Sequence, residues 1–107
     1  LEKIIVYKKE FEIQIIELID ILIARKYFTF EEYAVEYTIK IYEFIENNIS
    51  FPISKNCPKK YHRFGKKFLK YKANNRTTWY IFFDQKGNQF LVNHILNNHS
   101  QDFPELL

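Results

Sequence analysis

The apolar residues of this chain change period twice along its 107 positions. Ile4-Ile5-Val6-Tyr7 is short, apolar and largely β-branched, and it predicts a first strand. From about residue 11 the spacing becomes three and four. Phe11, Ile15, Leu18, Ile19 and Leu22 then fall on one helical stripe. Ile13, Ile16, Ile21 and Ile23 widen that stripe, which predicts a helix buried on more than one side. Isoleucine is a mediocre helix former, so tertiary packing has to hold this segment. Arg25-Lys26-Tyr27-Phe28 closes it with positive charge, as the helix dipole favours. Thr29-Phe30-Glu31-Glu32 reads as a capping box, in which the Thr29 hydroxyl accepts from the Glu32 N–H and the carboxylate reaches back. A second helix is expected to about Asn47, burying Tyr33, Tyr37, Ile41 and Phe44/Ile45. So short a connection predicts an antiparallel helical hairpin.

Residues 47–58, with Asn-Asn, Pro52 and Pro58, read as a loop. The period then becomes two. Residues 67–73 place Phe68, Lys70 and Lys72 on one side and Leu69 and Tyr71 on the other. After an Asn74-Asn75 turn, residues 77–84 put Trp79, Ile81 and Phe83 on one face and Tyr80 and Phe82 on the opposite one. Trp79, Ile81 and Phe83 are expected to build core rather than a stacking platform. Gln85-Lys86-Gly87-Asn88 is a hairpin loop, with Gly87 free to take positive φ. Residues 89–96 complete the meander, with Phe90, Val92, His94 and Leu96 on one face. The order β-α-α-β-β-β predicts a single α+β domain over residues 1–107, an antiparallel sheet packed against a helical hairpin.

Composition adds limits. Hydrophobic residues make up 47% of the chain, enough for a packed core, and two glycines and three prolines argue against long disordered stretches. The apolar stretch 13–24 is broken by Gln14, Glu17 and Asp20, so no membrane span is expected. The N-terminal residues lack a signal-peptide pattern. Cys57 is the single cysteine, so no internal disulfide can form, which fits a reducing compartment.

Charge changes the picture more. Residues 1–54 carry a net −4 and residues 55–107 a net +7, and the overall +3 hides the split. Nine of the positive side chains lie between Lys55 and Arg76, where there is no acid. A basic segment running onto an aromatic sheet suits a polyanion, nucleic acid first. Lys70 and Lys72 can point at one backbone. Tyr71, Trp79, Tyr80 and Phe103 are candidate base-stacking surfaces. The acidic half either recruits a basic partner or solvates the helices.

Other chemistry finds little support. One cysteine and three scattered histidines give no metal-ligand spacing, so no metal or cofactor is expected. Gly65-Lys66-Lys67 lacks the rest of a phosphate-binding loop. Ser100, His99 and Asp102 are adjacent in the chain without a nucleophile elbow, which discounts a triad. His94 reads as a half-buried histidine and His62 as a solvated loop residue. His99, just past a strand end, is placed where scaffolds present functional groups, and an imidazole suits proton transfer.

Phe68-Leu69-Lys70-Tyr71-Lys72, Arg76-Thr77-Thr78-Trp79-Tyr80-Ile81-Phe82-Phe83 and Asn98-His99-Ser100-Gln101-Asp102-Phe103, in this element order, resemble the RelE/ParE superfamily of bacterial toxins. The resemblance spans nearly the whole chain. It implies a cytoplasmic type II toxin neutralised by a cognate antitoxin. RelE-like members cleave mRNA in the ribosomal A site, without a metal, whereas ParE-like members inhibit DNA gyrase. A third, non-toxic expectation is a plain nucleic-acid-binding module. Lys70 and Lys72 look like the strand lysines of RelE, and His99 with Phe103 looks like the C-terminal pair of YafQ-type members. On that resemblance Lys70 or Lys72 is expected as base, Lys72 with Arg76, the nearest substitute for RelE's strand arginine, as the phosphorane clamp, His99 as acid and Phe103 as a stacking partner. Lys66, Lys67 and Tyr71 complete the expected RNA-binding set. The chain departs from RelE in two places. Trp79-Tyr80-Ile81 stands where RelE carries a strand arginine, and Asn97-Asn98-His99 lacks its second arginine.

Overall fold

A computed structural model describes residues 2–24, 31–51 and 54–98. The elements are β1 (Ile4–Tyr7), α1 (Lys9–Ala24), α2 (Glu31–Asn48), β2 (Lys55–Asn56), a 3-10 turn (Lys59–Tyr61), β3 (Lys67–Lys72), β4 (Thr78–Lys86) and β5 (Gln89–Asn97). They form an α+β fold with one five-stranded sheet in the order β1-β5-β4-β3-β2. The sheet is mixed rather than wholly antiparallel, because β1 runs parallel to β5. Alternation identifies a strand and its faces but carries no signal for pairing direction, which is why the sequence misses this. The two-residue β2, inside the expected loop, pairs with Lys67 and Phe68.

Both helices cover one face. Phe11 and Ile15 of α1 and Ile41 and Ile45 of α2, with Ile49 just beyond it, pack on Leu69, Trp79, Ile81, Phe83, Phe90, Val92 and Ile95. Trp79 donates its indole N–H to the Tyr37 hydroxyl at 2.9 Å, which satisfies that group inside the core. Gln14 makes a less expected contact. Its side-chain amide donates to the Ile95 carbonyl and accepts from the Ile95 N–H, each at 3.1 Å. β1 pairs with β5 only as far as Val92, so Gln14 supplies the bonds that a neighbouring strand would have given Ile95.

Three expectations for the core need correction. Ile13, Ile16, Ile21 and Ile23 are exposed, so α1 is buried along one stripe only. Tyr33 is 49% exposed, and the buried positions one place along are Ala34 and Thr38. β5 does not keep one face. Phe82 pairs with His94 but Phe83 pairs with Val92, so Asn93 is an extra, bulged residue. Phe90 and Val92 therefore face the helices, while Leu96 packs on the opposite cluster and His94 stacks there on Phe64. The capping box at Thr29 and the basic residues 25–26 lie outside the described residues.

The opposite face carries a second, smaller core. Cys57, Tyr61, Phe68, Tyr80 and Phe82 are buried together, with Phe64 and Leu96 against them. The segment 57–65 folds back over the sheet to close this cluster. Its own hydrogen bonds shape it: Tyr61 N–H to the Pro58 carbonyl, His62 to Lys59, Phe64 to Tyr61. Gly65, at φ +150, lets its backbone lie directly on Phe83. The N–H of Lys66 donates to Asp84, whose other carboxylate oxygen accepts from Asn93. Asp84 thus ties the loop exit to the bulge.

Candidate nucleic-acid interface

Lys70 and Lys72 extend from β3 on the face opposite the helices, the face that also carries Phe68. Both are exposed. Their Cα atoms stand about 6.6 Å apart at ordinary strand rise. In the register Lys70 lies opposite Tyr80 and Lys72 opposite Thr78. The Lys70 ammonium sits 6.0 Å from the centre of the Tyr80 ring, whose hydroxyl pKa is raised by burial. Among the described residues no carboxylate pairs with Lys70, Lys72 or Arg76. The sequence explains this: Asp84 is the single acid between residues 55 and 98, and its oxygens are used on the Lys66 N–H and Asn93.

Arg76 is held by its backbone. The Asn74 side-chain oxygen accepts from the N–H groups of Arg76 and Thr77, at 2.8 and 2.9 Å. Asn98 then grips the same turn from the end of β5. It donates to the Arg76 carbonyl at 2.9 Å, and its side-chain oxygen accepts from the Thr78 N–H at 3.0 Å. The Asn98 backbone N–H also donates to the Thr78 carbonyl. Lys72, Arg76 and Asn98 therefore share one end of the sheet. His99 and Phe103, the expected acid and stacking partner, lie outside the described residues.

The remaining expected contacts do not gather there. Tyr71 points to the helix side, its ring centre 4.7 Å from that of Phe44. Lys67 donates to the Gln85 side chain at 3.1 Å, and Lys66 is beside it, at the far end of β3 from Lys72. Trp79, Ile81 and Phe83 are core, as the alternation predicts. Trp79-Tyr80-Ile81, the segment that the resemblance sets against RelE's strand arginine, is buried. Trp79 packs under the helices, and Tyr80, on the lysine face, is only 1% exposed.

The loop over the second core lies on the same face of the sheet as Lys70 and Lys72. The Arg63 guanidinium lies 4.3 Å from the Phe64 ring centre, and Phe64 stacks on His94 at 4.0 Å with 4° between planes. Burial, and then the nearby Arg63 charge, lower the His94 pKa. His62 donates to the Cys57 carbonyl through Nε2. The Cys57 thiol is pushed up to about 11 by burial and by Asp84, so it is packing rather than a nucleophile. A sequence signal for this lid does exist: Cys57, Tyr61, Phe64 and Phe68 are spaced four, three and four apart through the basic run.

An open cleft of about 450 Å³, lined by Ile4, Val6, Asp84 and Leu91 among others, lies at the other end of the sheet. Among the described residues no group of three His, Cys, Asp or Glu side chains could hold a metal, and no helix is long and apolar enough to cross a membrane. No family model, curated protein or solved structure matches the chain.

Proposed function

We propose that this chain is a RelE/ParE-like toxin that cleaves ribosome-bound mRNA in the cytoplasm and is neutralised by a cognate antitoxin. The observation that carries the reading is the row Lys70, Lys72 and Arg76. These are three exposed cations at one end of a rigid sheet, with no carboxylate beside them among the described residues. Such a surface favours an RNA backbone, and strand geometry can hold charge in register with successive phosphates.

In the proposed reaction a ribose 2′-oxygen attacks the adjacent phosphorus and the bond to the 5′-oxygen breaks. The products are a 2′,3′-cyclic phosphate and a 5′-hydroxyl, so no water and no metal enter the balance. Lys70 or Lys72 takes the 2′-OH proton. Lys72 and Arg76 offset the charge that builds on the phosphorane. His99 returns a proton to the departing 5′-oxygen, and Phe103 stacks on a base.

Tyr80 favours a second reading. With a buried tyrosine on the lysine face where RelE has arginine, the clamp is smaller, which suits a ParE-like inhibitor of gyrase that does no chemistry. Induced expression separates the two. Under the nuclease reading, Lys70→Ala/Lys72→Ala and His99→Ala relieve growth arrest and leave mRNA intact. If both variants arrest growth as the parent does, this site assignment is wrong. Arrest with intact mRNA and damaged DNA supports the gyrase reading, and no arrest at all leaves a plain nucleic-acid-binding module.

A further inference from the structure

The helical layer presents a second surface unlike the first. The Tyr42 ring of α2 packs edge-on against that of Phe11 on α1, next to Glu12, with 5.8 Å between ring centres. That contact orients the seam between the helices. On α1, Ile16 and Ile23 follow Glu12 by four and eleven residues and share its side of the helix. On α2, Ile39 and Val35 precede Tyr42 by three and seven and share its side. These four border the outer seam and are exposed, Ile16 at 60% and Ile39 at 47%. Exposed acids stand next to them by helical spacing: Glu12 and Asp20 on α1, Glu36 and Glu43 on α2. The helices carry net charges of −3 and −4, whereas the opposite side of the molecule holds the basic run.

We infer that this seam docks a cationic amphipathic helix of a partner protein, its apolar stripe on Ile16, Ile23, Val35 and Ile39 and its lysines or arginines on the flanking carboxylates. Charge selects this occupant. A second copy placed face to face would set acid against acid. A copy turned to offer its basic side would make a head-to-tail contact, which grows into a ring or an open chain rather than a closed pair. A cationic helix satisfies the apolar and the charged components together, the helix-in-groove mode with electrostatic selection. This surface is independent of Lys70, Lys72 and Arg76, and so of the proposed reaction.

The probe is a fluorescein-labelled peptide of about 18 residues, five helical turns, with leucines at helical spacing and lysines elsewhere. A second peptide has the same composition scrambled. Anisotropy at physiological salt should show saturable one-to-one binding of the patterned peptide, with the scrambled peptide roughly tenfold weaker or worse. Ile16→Asn/Ile39→Asn, at exposed positions, should weaken the patterned peptide by roughly tenfold or more, with circular dichroism unchanged. Lys70→Ala/Lys72→Ala should not alter the affinity. Equal binding of the two peptides would reduce the surface to non-specific charge and overturn the inference. So would an unaffected double variant, no binding at all, a self-association in sedimentation that the double variant abolishes, or capture of the seam by neutral lipid vesicles.

Discussion

Replacing Gly65 by alanine tests whether the basic loop is fastened to the sheet as described. At φ +150 the backbone occupies a region that side chains rarely enter, and the conformation alone costs a non-glycine residue about 1–3 kcal/mol. The new Cβ would lie 2.8 Å from the Phe83 carbonyl oxygen and 2.9 Å from its nitrogen. Phe83 belongs to β4, with a strand on either side, so neither atom can retreat cheaply. Overpacking of this kind adds about 1–3 kcal/mol. The combined cost of about 4 kcal/mol is a large share of the 5–15 kcal/mol that holds a domain of this size together. With a urea slope of about 2 kcal/mol per molar, the unfolding midpoint should fall by roughly 2 M. Trp79, the single tryptophan, reports the transition. Gly87→Ala is the matched control. Gly87 also has positive φ, +60, but open space around its Cβ, so it should cost only about 1–2 kcal/mol. If Gly65→Ala unfolds at the same urea concentration as Gly87→Ala, the close approach of the loop to β4 is refuted.

Other predictions follow from single contacts. Gln14→Ala should destabilise the fold by about 1–3 kcal/mol, because it strands the N–H and carbonyl of Ile95, and the Ile95 amide should exchange faster. His94 is held below its ordinary pKa of 6.5, so the unfolded chain binds more protons than the folded one in that window. Its contribution is full above pH 6.5 and is lost as pH falls toward the folded pKa. His94→Phe should flatten that part of the stability profile, and an unchanged slope would contradict the Arg63–Phe64–His94 arrangement. Cys57, with its thiol raised to about 11, should resist iodoacetamide at pH 8 and react fully in urea. Rapid labelling of the native protein would show that the second core is open.

Much of the fold could be read from periodicity. The strand faces of Phe68, Lys70 and Lys72, and of Trp79, Ile81 and Phe83, are local properties with a period of two. The elements that escaped are those set by distant partners. The parallel pairing of β1, the Asn93 bulge and the Gln14 bridge to Ile95 all depend on what lies across the sheet. A bulge reverses every side chain beyond it, which is why His94 and Leu96 were expected on the wrong face. Gly65 looked like a failed phosphate loop and is instead a point of close backbone contact. For the candidate site, the sequence located Lys70 and Lys72 on one face but not the device that fixes Arg76, two asparagines bonding to one turn. Lysines on a strand that has no outer partner past Phe68 among the described residues also discourage association between sheets, a role to be separated from the proposed RNA binding.

That separation calls for the chemistry itself. Purified protein is added to ribosomes stalled on a defined mRNA, and the new RNA ends are mapped and typed. The account predicts cuts in the A site that leave a 2′,3′-cyclic phosphate and a 5′-hydroxyl, formed in the presence of a metal chelator and lost with Lys70→Ala/Lys72→Ala. Intact mRNA, or cleavage that survives the double substitution, would contradict it.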